Sequence, residues 1–298
     1  MVTLPQTLCF LNGQYLPLAE AKVSVLDRGF IFGDGVYEVV PVYRGHLFRF
    51  DEHMARLQRG LDKIRIPNPA TRAQWLERCR RLGGATAEQS GADDQSVYIQ
   101  VTRGADDKRD HAFPKGVAPT VFIFTAPLVT TPDSVRAAGV AAVTAADTRW
   151  ARCDLKVVAL LANVVARQDA VERGCAETLF IRDGIMIEGA ASNIFVVKNG
   201  VLLAPVKDHR MLPGITYDVV LELAAKHGVP HAVRDIAEAE LRSADEVWMT
   251  SSTKEVLPIT TLDGEPVGNG VNAGKPGPLA QQMHGWYQQF KDEVMRRG

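Results

Sequence analysis

The stretch Val157-Val158-Ala159-Leu160-Leu161-Ala162-Asn163-Val164-Val165-Ala166 is too apolar for a surface helix, so a fold of this chain is expected to bury it. Lys156 stands immediately before it, at the end of Arg149-Trp150-Ala151-Arg152-Cys153-Asp154-Leu155-Lys156. An ammonium at the mouth of an apolar run is costly unless it is paired or neutralised. Schiff-base chemistry with a carbonyl needs a lysine that can lose its proton. The alternative is a lysine that lies along the apolar surface and reaches back to water. What the rest of the chain offers to Lys156 decides between the two.

The totals exclude several classes. The 298 residues suffice for two ordinary domains, and 46% hydrophobic with 23% charged residues is the balance of a globular protein. A formal net charge of -1 gives no electrostatic case for nucleic acid or an anionic membrane. No run reaches the roughly 18 consecutive apolar residues of a membrane span. Residues 1–14 have no basic segment and carry Pro5, so no secretory leader is expected. Cys9, Cys79, Cys153 and Cys175 are scattered without CxxC spacing, which reads as free thiols in a reducing cytoplasm. Cys153 reads as a small buried hydrophobe.

In chain order, residues 8–18 form a hairpin around Asn12-Gly13. Asp27-Arg28-Gly29-Phe30-Ile31-Phe32-Gly33-Asp34-Gly35 has glycines spaced for sharp or close backbone, and a strand follows to Tyr43. Asp51 looks like the N-cap of a helix with Met54, Leu57, Leu61 and Ile64 on its apolar stripe and Arg56 off it. A second helix covers residues 71–82 and stops at Gly83-Gly84. Strands follow at 97–101 and 120–125, with a charged loop from Arg103 to Pro114 between them. Two prolines mark 126–132 as a linker, giving a smaller domain over 1–125 and a larger one over 133–298 that carries Lys156. In the second half, strands at 140–145, 177–182, 185–188, 193–198, 201–203 and 246–249 alternate with helices at 157–173, 216–227, 236–243 and 279–297. Asp183-Gly184 and Asn199-Gly200 supply the tight turns. The expected class is α+β, in two domains.

Pyridoxal phosphate asks a protein for a lysine, an anion beside the pyridine nitrogen, a phosphate cup and a fixed positive charge. Glu188 ends an apolar strand and precedes Gly189-Ala190-Ala191-Ser192-Asn193. Leu212-Pro213-Gly214-Ile215-Thr216 opens a helix whose first N–H groups can take an anion. Thr250-Ser251-Ser252-Thr253 is a hydroxyl-rich turn, and Arg56 is a candidate cation. Each has a bland alternative: a solvated strand end, an ordinary helix start, a turn, a surface ion pair. Their co-occurrence favours the cofactor. No GxxxxGK[ST], HExxH or GxSxG competes. His46, His53, His209, His227, His231 and His284 stand singly, without metal-ligand spacing, so no metal is expected.

These segments resemble the class IV (fold-type IV) pyridoxal-phosphate aminotransferases over nearly the whole chain. The resemblance rests on Asp27-Arg28-Gly29-Phe30, Phe32-Gly33-Asp34-Gly35-Val36-Tyr37-Glu38-Val39-Val40, Glu52-His53 with Arg56-Leu57, and Gln100-Val101-Thr102-Arg103-Gly104. It extends to Arg109-Asp110-His111 with Phe113-Pro114, the Arg149 to Lys156 segment, Glu188-Gly189, Ser192-Asn193, Gly214-Ile215-Thr216 and Thr250-Ser251-Ser252-Thr253. Arg-x-His at 109–111 points to the branch that handles D-amino acids. The resemblance implies that Lys156 holds pyridoxal phosphate and that Glu188 faces its pyridine nitrogen. It assigns the phosphate to Arg56, Ile215, Thr216 and Ser252, and the substrate carboxylate to Tyr37, Arg109 and His111. In the family the arginine and histidine come from the partner subunit, so a homodimer is implied. The implied reaction is D-alanine plus 2-oxoglutarate giving pyruvate plus D-glutamate. Branched-chain L-amino acid transamination, (R)-amine transamination, aminodeoxychorismate lysis and a non-catalytic vitamin-B6 binder share the fold as alternatives. Two positions depart from the family pattern: Val157 stands where this branch often has a hydroxyl residue, and residues 104–108 form a longer, more acidic loop.

Overall fold

The computed structural model describes residues 6–298, and the first five residues, part of the segment in which no leader was expected, lie outside them. The chain divides into two compact units: the residues up to Val129 with Leu155–Ala159 and Glu293–Gly298, and Thr130–Asp154 with Leu160–Asp292.

The first unit contains β1 (Leu8–Leu11), β2 (Gln14–Pro17), α1 (Arg28–Phe32), β3 (Gly35–Tyr43), β4 (His46–Leu47), α2 (Phe50–Ile64), α3 (Arg72–Ser90), β5 (Asp94–Thr102) and β6 (Thr120–Pro127). Its six-stranded sheet runs β2-β1-β6-β5-β3-β4 and is antiparallel throughout. The β1–β2 turn forms as its Asn-Gly pair requires, with φ of 48° at Asn12 and 92° at Gly13. α2 starts at Phe50 behind Arg49 in the left-handed region, so Asp51 is not the cap; it lies in the first turn and pairs with Arg72. The buried face of α2 is Phe50, His53, Arg56, Leu57, Gly60 and Leu61, so Arg56 is on the core side. Gly60 allows this close docking, since a Cβ there would stand 3.2 Å from Val36 Cγ1. α3 runs through Gly83-Gly84 to Ser90 and ends instead at Gly91, φ 67°. A capping box between Thr71 and Gln74 starts it, and the buried Trp75, Cys79, Leu82 and Thr86 hold it against the sheet past the two glycines. Their cost of roughly 1 kcal/mol each is outweighed by that packing.

The Lys156 segment belongs to this first unit, whereas the sequence assigned it to the second. The reason is backbone pairing. Val157 bridges Val36 of β3, Tyr37 N–H donates to Lys156 O at 2.9 Å, and Val158 N–H donates to Gly35 O at 3.1 Å. Leu155 and Val157 are buried in the same apolar cluster as Val36, Leu57 and Leu61.

The second unit contains α4 (Asp133–Ala138), β7 (Val140–Ala146), α5 (Leu161–Glu172), β8 (Glu177–Arg182), β9 (Ile185–Gly189), β10 (Asn193–Lys198), β11 (Val201–Ala204), α6 (Ile215–Lys226), β12 (His231–Val233), β13 (Ile236–Ala237), α7 (Glu238–Arg242), β14 (Glu246–Ser251), β15 (Glu255–Leu262), β16 (Glu265–Pro266) and α8 (Pro278–Phe290). The ten-stranded sheet runs β12-β11-β10-β14-β15-β7-β8-β9-β13, with β16 on β15. The helix expected over 236–243 begins two residues later, because Ile236 and Ala237 pair with β9. The apolar run after Lys156 is helical only from Leu161, and α5 is not buried within the chain: Leu161 is 76% exposed, Val164 59% and Val165 51%. Among the described residues no helix is long and apolar enough to cross a membrane.

Candidate active site

Period-two alternation along β3 puts Val36, Glu38 and Val40 on the core face and Tyr37 and Val39 on the other. Glu38 therefore lands among apolar side chains, and α2 brings His53 and Arg56, one turn apart, onto it. Arg56 donates through Nε at 2.6 Å and Nη2 at 2.9 Å, and His53 Nδ1 lies 2.7 Å from the same carboxylate. Burial would raise the Glu38 carboxyl, but Arg56 and His53 more than offset it and hold it well below the usual range. Burial also lowers the His53 pKa, against the pull of Glu38. On the other face of β3, Lys156 Nζ lies 4.1 Å from the centroid of the Tyr37 ring.

Arg109 and His111 lie on the exposed loop between β5 and β6. Arg109 rests over the Phe32 ring, its Cζ 5.1 Å from the centroid, and the His111 ring lies 5.2 Å from that of Phe32. Val157, the departure next to the lysine, is a core residue with 7% exposure.

In the second unit the strand ends converge on Asn193. Its Nδ2 donates to Glu188 Oε2 at 3.4 Å and to Leu212 O at 3.0 Å. Its backbone carbonyl accepts from Thr250 Oγ1 at 3.4 Å, and the two residues are register partners across β10 and β14. A Cβ at Gly214 would lie 2.0 Å from Asn193 Oδ1, so any side chain there would displace the Asn193 amide. The predicted strand end, helix start and hydroxyl turn are thus tied together by one residue, through its side-chain amide and its backbone carbonyl. α6 starts at Ile215 with no side-chain cap, and Thr216 is buried in its first turn. Ser252 is half-buried in the turn after β14, where Ser251 Oγ accepts from Lys254 N–H at 3.1 Å.

Glu188 accepts from Arg149 Nη1 at 2.6 Å and from Leu212 N–H at 3.1 Å. Arg149 is shared: its Nε and Nη2 hold Asp147 at 2.9 and 3.0 Å. Burial pushes the Glu188 carboxyl up to about 7 despite the pull of Arg149, and Asp147 adds to the rise. A carboxyl poised there can hold or give up a proton near neutral pH. The sequence alone pointed to no role for Glu38, Arg149 or Asn193, although all three lie inside the motifs shared with the family. The usable signal was a charged residue on the apolar face of β3 and an arginine two residues from Asp147. Among the described residues no group of three or more His, Cys, Asp or Glu could hold a metal ion.

The model of the family Amino-transferase class IV matches residues 35–262. A D-alanine aminotransferase of Bacillus licheniformis is 38% identical over 272 residues, 91% of this chain and 93% of that protein. One from Listeria monocytogenes is 36% identical over 287 residues, covering 96% and 95%. Among solved structures, a branched-chain amino acid aminotransferase of Escherichia coli superposes with a TM-score of 0.84 at 25% identity, covering 97% of this chain and 95% of that one. The mixed helix and sheet fold is therefore that of fold type IV. The chain belongs to the class IV aminotransferases.

Proposed function

We propose that this aminotransferase exchanges the amino group between D-amino acids and 2-oxo acids, with D-alanine and 2-oxoglutarate giving pyruvate and D-glutamate. The observation that carries the reading is the identity to D-alanine aminotransferases along nearly the whole chain, and the Arg109-Asp110-His111 motif agrees with it. The residues fit pyridoxal phosphate. α6 opens without a side-chain cap beside a glycine that leaves the backbone bare, as a phosphate requires. Glu188 is a buried carboxyl bound to Arg149, and the positive charge of a protonated ring nitrogen beside it would favour its ionised form.

Bound pyridoxal phosphate supplies an electron sink for the charge left when an amino acid Cα loses its proton. Lys156 would hold the cofactor, and its Nζ, once displaced by the substrate amino group, would be free to take the Cα proton. Glu188 keeps the ring nitrogen protonated, and Arg149 with Asn193 orients that carboxyl. Ile215 and Thr216 offer backbone N–H groups to the phosphate, and Ser252 offers a hydroxyl. Arg56, fixed by Glu38, supplies positive charge. Tyr37, Arg109 and His111 grip the substrate carboxylate, and a guanidinium suits that bidentate geometry. Fixing the carboxylate on one side decides which enantiomer turns its Cα–H toward the lysine.

The active form in this reading is a homodimer. The exposed Leu161, Val164 and Val165 of α5, at helical spacing on one face, support it, because adjacent exposed apolar side chains favour a covering surface. The four free cysteines agree with a cytoplasmic setting.

The test is an incubation of purified protein with D-alanine and 2-oxoglutarate, followed by chiral analysis. Pyruvate and D-glutamate are expected in equal amounts. Formation of L-glutamate, or of no pyruvate, overturns the reading.

A further inference from the structure

The loop that carries Arg109 and His111 is fastened at its stem and at its tip to one short segment, residues 27–32. The stem is held by Asp27: Oδ1 accepts from Thr102 Oγ1 at 2.8 Å and Oδ2 from Thr120 Oγ1 at 2.6 Å, joining the last residue of β5 to the first of β6. Asp27 also bridges Ala105, and Arg28 N–H donates to Gly104 O at 2.9 Å. The stem has no slack, since a Cβ at Gly104 would lie 2.1 Å from Ala118 O. The tip is held by Arg28, whose Nη1 donates to Asp110 O at 2.5 Å and whose Nη2 donates to His111 O at 3.3 Å. The Arg28 guanidinium is itself fixed. It is 3% exposed, its Nε is bound to Asp34 at 2.9 Å, and it lies 4.8 Å from the Phe32 centroid. The same ring carries the recognition pair, with Arg109 and His111 both against it.

Left unanchored, a long charged loop would sample many conformations, and ordering it on binding would cost affinity. Here the backbone of two successive tip residues is clamped by one buried arginine, and their flanking side chains are aligned on one ring. We infer that Arg28 and Phe32 are positioning residues for carboxylate recognition: they pre-set Arg109 and His111, and they act on substrate affinity rather than on the chemical step. The inference rests on the carboxylate role given to Arg109 and His111 above. Phe32 supplies a flat face that a guanidinium and an imidazole can both use. Arg28 supplies a planar fork whose three nitrogens reach Asp34 and two neighbouring carbonyls at once, a geometry the single nitrogen of a lysine does not reproduce.

The experiment uses the holoenzyme and three variants: Phe32→Leu, Arg28→Lys and Arg109→Ala. Steady-state kinetics with D-alanine are measured together with hydrogen exchange of the amides at 105–112. For Phe32→Leu and Arg28→Lys, KM for D-alanine rises about tenfold with kcat within about twofold of the parent, and exchange at 105–112 speeds up. Arg28→Lys touches a buried pair, so Phe32→Leu, which leaves every hydrogen bond of Arg28 in place, carries the test if the lysine variant folds poorly. If Arg109→Ala raises KM while Phe32→Leu leaves both KM and exchange unchanged, the platform is overturned and the carboxylate role stands. If Arg109→Ala leaves KM unchanged, the carboxylate role falls, and the platform falls with it.

Discussion

Glu38 and Glu188 are both buried strand carboxyls facing an arginine, at 0% and 5% exposure, yet their pKa values are shifted in opposite directions. Glu38 receives a two-pronged arginine at 2.6 and 2.9 Å and a histidine at 2.7 Å, and stays far below the usual carboxylate range. Glu188 receives a single arginine nitrogen at 2.6 Å from a guanidinium that also serves Asp147, and rises to about 7. Burial is common to both, so it does not decide the outcome. What decides it is how much positive charge each carboxyl has to itself. Glu38 is a structural anchor for α2, and Glu188 is the carboxyl whose proton affinity burial raises on balance.

The contrast can be broken by exchanging the consequences of removal. Glu38→Ala leaves the charge of Arg56 in the core without its carboxylate and is expected to cost about 3–5 kcal/mol of stability in urea unfolding. Glu188→Gln leaves Arg149 on Asp147 and is expected to cost less than about 2 kcal/mol. Its loss is in turnover, about a hundredfold in kcat, with weaker pyridoxal phosphate binding by equilibrium titration of the cofactor-free protein. A large stability loss in Glu188→Gln with normal turnover would erase the distinction.

A smaller effect sharpens it. The Glu188 carboxyl rises from 4.5 to about 7 on folding, so between those values the folded protein holds a proton that the unfolded chain has released. Its contribution to stability is complete below 4.5 and is lost as pH rises through 7. The cofactor-free Glu188→Gln variant should therefore gain about 1–3 kcal/mol relative to the parent between pH 5 and 8. Glu38 has the opposite sign: its contribution is present above the ordinary carboxylate value and is lost in acid as pH falls through its depressed one. A parent-minus-variant difference flat across neutral pH would contradict the poised state of Glu188.

Much of the fold was legible because turn chemistry is local. Asn12-Gly13, Asp183-Gly184 and Asn199-Gly200 all take positive φ at both positions and close the expected hairpins. The errors came where tertiary contacts override local signals. Gly83-Gly84 looked like a stop, but buried Trp75, Cys79 and Leu82 carry α3 across it. Residues 157–160 looked helical, but backbone pairing with β3 holds Val157 and Val158 out of the helix. β15 had no counterpart among the expected strands, and it carries Pro258, paired with Trp248, although it lies between β14 and β7. At the site, Glu188 and the start of α6 could be picked out as residue types at strand and helix ends. The pairing of Arg56 with Glu38, the sharing of Arg149 and the gathering role of Asn193 depend on register and on side chains far apart in sequence. No periodicity encodes them.

The central claim is that Lys156, with its cofactor, serves amino acids of D configuration. Its most direct test is a single-turnover absorbance measurement on purified holoenzyme, in which D-alanine and L-leucine are mixed separately with the protein. The account predicts that D-alanine bleaches the visible cofactor band within one turnover while L-leucine leaves it intact. Bleaching by L-leucine alone would contradict it.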